Sequence, residues 1–234
     1  MAERGVVYTI WGNDNKYERA LERSRRSLAA FHPELPVEVF RISSTSDPSW
    51  GLAEKSHMFA KSPFRETLYL DIDTVVLGKL DFGFEKARNF GLACCINECP
   101  WAWRYTGLRD NRGAIEYNTG VLFFTDRARP IFETWEQLIP KLDSSITLVR
   151  DGKLVKMPFN DQGAFAAAIE ECRFNPFVLP LNWNFRPQHH HSFFGPIVVW
   201  HEYAEIPSPI LELNRYYERK DAVIQFHFAG SNRG

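Results

Sequence analysis

The chain has no long run of basic residues, and its formal net charge is only −1. Non-specific binding to nucleic acid therefore lacks electrostatic support, and no nucleic-acid partner is expected. No apolar stretch approaches the ~20 residues of a membrane-crossing helix, so no membrane span is expected. Ala2-Glu3-Arg4-Gly5 leads directly into a strand-like run, without the apolar core of a signal peptide. Cysteine is scarce: Cys94, Cys95, Cys99 and Cys172 are all there are. There is no Cys-x-x-Cys spacing and no second cluster, which argues against a structural zinc site. Adjacent Cys94 and Cys95 point to opposite faces if their segment is a strand. Reduced core thiols fit a cytoplasmic protein. Repeats, low-complexity tracts and linkers are also missing, so 1–234 reads as a single domain.

Aromatic rings, by contrast, are plentiful: 15% of the residues, with 19 Phe and 7 Trp. They predict a large aromatic core, with rings lining a ligand cleft as the alternative. Val6–Ile10 reads as a strand broken at Gly12-Asn13-Asp14-Asn15. A helix follows, with Tyr17, Leu21, Leu28 and Phe31 on its apolar side, and His32-Pro33 stops it. Val37–Ile42 alternates as a second strand, and a helix from Ala53 to Ser62 precedes a third. Further strands are predicted at 90–96, 120–124 and 222–227, and helices at 130–142 and 161–171. The stretches 99–115 and 181–208 read as loops. This β-α-β-α-β order predicts an α/β fold with a parallel sheet flanked by helices, whose ligands bind beyond the carboxyl ends of the strands.

The third strand ends in Leu68-Tyr69-Leu70-Asp71-Ile72-Asp73-Thr74. In extended backbone, alternate side chains share a face, so Asp71 and Asp73 project together. Paired carboxylates at a strand end suit a hard divalent cation, which could hold a diphosphate. A haloacid-dehalogenase-like phosphatase also carries an aspartate pair after an apolar strand, with the first aspartate as nucleophile. That nucleophile lies near the start of its fold, whereas about seventy residues precede Asp71 here.

Other landmarks follow in order. Lys55 precedes the aspartates, and Glu116-Tyr117-Asn118-Thr119-Gly120-Val121-Leu122-Phe123 comes after them. Asn160-Asp161-Gln162-Gly163 opens a helix, Leu179–Asn184 comes next, and His227-Phe228-Ala229-Gly230-Ser231-Asn232-Arg233 closes the chain. In this order and spacing the set resembles nucleotide-diphospho-sugar transferases of the GT-A fold, specifically glycosyltransferase family 8 and the glycogenin-like enzymes. The resemblance implies a single GT-A (Rossmann-like) domain with a mostly parallel central sheet flanked by helices.

It also implies roles. Asp71, Asp73 and His227 would hold Mn²⁺ or Mg²⁺ against the diphosphate of a UDP-sugar, with a nitrogen ligand favouring Mn²⁺. Ile72 lies between them in the donor-binding motif. Lys55, Gly230 and Arg233 would face the phosphates, with Arg233 standing where relatives commonly carry lysine. Thr9, Asn13, Asp14 and Tyr17 would form the nucleoside pocket. Asn118 and Gly120 would meet the donor sugar. Asp161 and Gln162 would be catalytic beside the anomeric carbon, in a transfer of glucose or galactose with retention of configuration. Trp183, Asn184 and the loop 101–105 would face a glycan, protein, lipid or small-molecule acceptor. Each has a plainer alternative: a solvated lysine at Lys55, a helix cap at Asn160, core rings at Trp183, a strand-end imidazole at His227. A catalytically weak sugar-nucleotide or glycan-binding protein of the same fold is the alternative to an enzyme.

Overall fold

The computed structural model describes residues 3–12, 14–42, 49–97, 115–150, 152–157, 159–190 and 192–228. A six-stranded sheet forms the centre, in the order β2 (Val37–Ile42), β1 (Arg4–Trp11), β3 (Glu66–Leu70), β6 (Tyr117–Thr125), β5 (Leu92–Ile96), β9 (Phe177–Leu179). β1 is parallel to β2 and β3, and β9 is parallel to β5. β6 alone runs against its neighbours, β3 and β5. The sheet is thus mostly parallel and flanked by helices, as the order of elements predicts.

Alternation along the strands divides the core into two. Val6, Tyr8, Ile10, Leu68, Leu70 and Phe123 face one side. There they meet Leu21 and Leu28 of α1 (Asn15–Phe31) and Phe84 of α4 (Asp81–Phe90). Val7, Tyr69, Leu122 and Phe124 face the other, against Phe132 and Trp135 of α5 (Arg129–Leu138) and Phe165 of α6 (Asp161–Glu171). Each fully buried Leu or Phe contributes about 1.5–3 kcal/mol. Cys94 and Cys95 do face opposite sides, one in each half of the core. The rings are predominantly core, including Trp183, which packs on Phe82 and Phe123.

Local chemistry sets the ends of the helices. Asp14 caps α1 by accepting the Lys16 N–H at 2.7 Å, and the helix stops at Phe31, ahead of Pro33. Asn160 caps α6 through the Gln162 N–H at 2.9 Å. Gly91 ends α4 with φ +90°, a conformation few residues other than glycine adopt.

Several elements differ from the sequence expectation. The helix expected over 53–62 is two short ones, α2 (Ser49–Ala53) and α3 (Met58–Lys61), joined by a 3₁₀ turn at Glu54–His57. Leu138 ends α5 four residues earlier than expected, and Phe90 belongs to α4 rather than to a strand. A hairpin of β7 (Ile146–Arg150) and β8 (Lys153–Met157) pairs Arg150 with Lys153, and Gly152 has φ +72°. The stretch 181–208 is not simply loop. It contains β10 (Ser192–Phe194) and β11 (Val199–His201), and α7 (Ser208–Tyr217) begins at its end. The terminal strand shrinks to β12 (Phe226–Phe228), paired with β10. Among the described residues, no helix is long and apolar enough to cross a membrane.

Candidate metal centre

β3 is buried along its whole length and ends at Leu70. The Asp71 N–H still donates to the Gly120 carbonyl at 2.8 Å, so the ladder with β6 carries Asp71 to the sheet edge. The chain then turns. Thr74 donates to the Asp71 carbonyl through its N–H at 3.2 Å and its hydroxyl at 2.7 Å. β4 (Thr74–Val76) leaves the sheet and pairs antiparallel with β11, setting Thr74 opposite His201. The Glu202 N–H closes the pair on the Asp73 carbonyl at 2.9 Å. Ile72 turns into the core while Asp71 and Asp73 keep a common face. One ligand atom from each of Asp71, Asp73 and His201 lies within 4.8 Å of the other two.

Each group is held in place. His201 Nδ1 sits 2.7 Å from Asn184 Oδ1, an acceptor, so it carries the proton and leaves the Nε2 lone pair free. Nε2 faces Asp73 Oδ1 at 3.3 Å and Asp71 Oδ2 at 3.7 Å. Asp71 Oδ1 accepts from the Tyr69 hydroxyl at 2.7 Å and the Lys55 ammonium at 2.8 Å. Lys55, from the 3₁₀ turn, also lies 3.3 Å from Asp161 Oδ2. The same oxygen accepts from Thr119 at 2.5 Å.

Burial works against each charge here, and partners reverse it. Desolvation would lower the Lys55 pKa, but Asp161 and Asp71 outweigh it and hold the ammonium above its ordinary value. Desolvation would raise Asp73, yet the His201 ring in its protonated form, its charge and Nε2–H set against that carboxylate, holds the carboxyl below its usual range. His201 is raised in turn, chiefly by Asp73 acting against burial. Burial and Asp71 push the Tyr69 phenol far up, so it stays a neutral donor, with the Thr9 side chain beside it.

The donor set fits a divalent ion. Two carboxylates and an imidazole lone pair converge, all electron-rich, and a cation between them reconciles what otherwise repels. Gly120 makes the convergence possible. A Cβ there would lie 2.3 Å from His201 Cε1 and 2.8 Å from Asp71 Oδ2, so any side chain would displace both. The backbone of Gly120 is fixed by its N–H bond to Asn118 Oδ1 at 2.9 Å.

The sequence expectations distribute as follows. Lys55, Asp71, Ile72, Asp73, Asn118, Gly120 and Asp161 come together at this edge. Thr9 reaches it through Tyr69. Gln162 follows Asp161, its Oε1 buried and without a hydrogen-bond partner among the described residues. Asp14 serves as a helix cap, and the Tyr17 ring lies 6.2 Å from that of Trp11. Asn13, Gly230, Arg233, Cys99 and the loop 101–105 lie outside the described residues.

His227 is not in the cluster. It pairs with Phe193 across β10 and β12, and its Nε2 shares a 2.5 Å hydrogen bond with the Tyr217 hydroxyl. His201 takes the imidazole position expected of His227, because β4 and β11 pair beside Asp73. Ile197-Val198-Val199-Trp200-His201 carries the signal for this: an apolar, β-branched run ending in a polar residue, the pattern of Leu68–Asp71. Asn184, expected on the acceptor side, instead orients His201. His189, His190 and His191 are adjacent in sequence, and His190 is buried against Phe185 and takes the Arg186 N–H on Nδ1 at 3.1 Å.

No protein-family model and no curated protein matches the chain. Solved structures do match, at low sequence identity. Mouse xyloside xylosyltransferase 1 in its apo form aligns with TM-score 0.57 at 12% identity, over 88% of this chain and 100% of that one. Galactosyltransferase LgtC, solved with donor and acceptor sugar analogues, aligns with TM-score 0.54 at 14% identity, over 85% and 86%. A glycosyltransferase involved in glycosylation of the major capsid of PBCV-1 aligns with TM-score 0.53 at 14% identity, over 93% and 100%. The architecture is the GT-A fold, shared with these solved glycosyltransferases. Within it, the chain is similar to these glycosyltransferases and carries an acidic, histidine-containing cluster at the sheet edge.

Proposed function

We propose that the chain is a metal-dependent glycosyltransferase that uses a UDP-sugar and retains configuration at the transferred hexose, glucose or galactose. One observation carries the reading. Three cation-ligand atoms meet at the carboxyl end of β3, where open α/β sheets bind ligands, on a fold shared with solved glycosyltransferases. Asp71, Asp73 and His201 would hold Mn²⁺ or Mg²⁺, with the imidazole favouring Mn²⁺. The ion when bound supplies Lewis-acid stabilisation of the departing diphosphate.

The protein's own residues do the rest. Lys55 bridges Asp71 and Asp161, offsetting one of their two charges, and sets its ammonium on the phosphate side. Asp161, tied to Lys55 and Thr119, orients the start of α6. Gln162 offers an unpartnered carbonyl oxygen that can accept from a sugar hydroxyl or stabilise positive charge at the anomeric carbon. Asn118 and Gly120 line the sugar side, and Thr9, Asn13, Asp14 and Tyr17 the nucleoside side. Gly230 and Arg233 are assigned to the phosphates. The acceptor is a glycan, protein, lipid or small molecule.

The test is release of UDP from UDP-glucose, UDP-galactose and UDP-xylose by the purified chain, with Mn²⁺ and with EDTA, across an acceptor panel. Turnover that needs Mn²⁺ is expected. Nucleotide binding without turnover on any acceptor would instead identify a sugar-nucleotide-binding protein of the same fold.

A further inference from the structure

The backbone of Glu202, the residue that follows His201, is pinned from both sides. Its N–H donates to the Asp73 carbonyl at 2.9 Å, which joins it to the second aspartate of the cluster. On the other side the Glu202 carbonyl accepts from Arg23 Nη2. The same guanidinium reaches two more carbonyls through Nη1, Tyr203 at 2.9 Å and Ala204 at 3.1 Å. Arg23 is some 180 residues away in sequence, on α1, with a side chain only 25% exposed.

Three consecutive carbonyls on one cationic side chain form an unusual demand. A planar fork with several donors meets it, and an ammonium on a flexible stem does not. The neighbouring face of α1 grips the other strand of the pair. Ser24 Oγ lies 3.1 Å from Thr74 Oγ1, and Ser27 Oγ accepts the Val76 N–H at 2.9 Å. β4 and β11 form only a two-stranded ribbon off the main sheet, so their own ladder is short. α1 therefore acts as the jig on which the ribbon carrying Asp73 and His201 is assembled.

We propose that Arg23 is a positioning residue for the cation site: it fixes the backbone after His201 so that Nε2 faces the two aspartates. This rests on the assignment of Asp71, Asp73 and His201 as cation ligands. Arg23 has no contact with a ligand atom in this arrangement, so its effect passes through the backbone that follows His201.

Isothermal titration of the purified chain with MnCl₂ alone tests the idea. Arg23→Met keeps the apolar stem and removes the donors, and should raise the Mn²⁺ Kd about tenfold, the scale of outer-shell substitutions. Arg23→Lys restores one donor nitrogen in place of the two-nitrogen fork and should fall between Met and wild type, which also serves if the Met variant does not fold. In a His201→Ala background, Arg23→Met should add little, because residues acting through one another are non-additive. An unchanged Kd in Arg23→Met, or an equal loss with and without His201, would overturn the proposal and leave Arg23 a packing residue. Failure of the wild type to bind Mn²⁺ is a separate result that removes the underlying cation assignment.

Discussion

The two ends of β3 both carry acid, and they are built differently. At the amino end, Glu66 accepts from Arg88 at 2.6 and 3.0 Å and from Arg4 at 3.2 Å, and Arg4 also meets Asp81 at 3.2 Å. Two acids face two arginines, and the charge closes on itself. At the carboxyl end, Asp71, Asp73 and Asp161 gather around one lysine and one imidazole whose proton is on the far nitrogen. That end is two positive charges short with the imidazole neutral, the charge of one divalent ion. The contrast separates an ion pair that locks a strand from a cluster arranged for a cation.

The comparison breaks most readily at Asp73. Asp73→Asn should weaken Mn²⁺ binding at least about 100-fold and reduce Mn²⁺-dependent UDP release to a similar degree, since it removes a direct ligand. Mn²⁺ titration and a coupled UDP assay give both numbers, and wild-type values would end the metal assignment.

Next in size is the choice between the two histidines. His201→Ala should raise the Mn²⁺ Kd about 10–100-fold, whereas His227→Ala should leave it within about twofold. His227 is already engaged with Tyr217, and partial burial holds its pKa below the ordinary value. Equal losses from both would place the C-terminal segment at the ion after all. Asn184→Ala should act more weakly, about tenfold on Kd, because it only frees the His201 tautomer. Proton competition gives the same contrast a pH signature. His201 is raised by its aspartates, so Mn²⁺ affinity should fall as pH drops through that raised value and recover above it. In His201→Ala, that step in the titration should disappear.

Much of this was readable in advance. The order of the early strands and helices along the chain and the parallel pairing of β1 with β2 and β3 follow from hydrophobic periodicity, which reports burial directly. Lys55 and Asp161 emerged from their place in an ordered set of motifs, and the structure supplies the reason for their company: they neutralise one another. What sequence could not give was the partner of β4. A three-residue strand has almost no pattern of its own, and its pairing with β11 is decided by contacts about 125 residues apart. The terminal His227 sat in a more familiar context than His201, yet the short strand after Ile197 was in plain view. Asn184 likewise looked like an acceptor-loop residue because nothing local reveals which way a 3₁₀ turn aims its side chains.

The smallest expected effect lies at the amino end of β3. Hydrogen bonds from Arg88, and then Arg4, hold the Glu66 carboxyl below its usual value against the opposing pull of burial. A carboxyl whose folded pKa is depressed contributes stability that is present above its unfolded value and is lost as pH falls through the folded one. Glu66→Gln should therefore lower stability at pH 7 by about 1 kcal/mol, kept small because Arg88 is half exposed to solvent. Thermal melts should show a Tm about 2–4 °C lower at neutral pH and converge with wild type once the wild-type Glu66 carboxyl is protonated in acid. Mn²⁺ supplies the sharper half of the experiment. An ion that binds only the native state raises Tm by mass action, and Glu66→Gln should keep that Mn²⁺-induced rise in full. Asp73→Asn should lose it. If Glu66→Gln blunted the rise as well, the two ends of β3 would be coupled rather than separate.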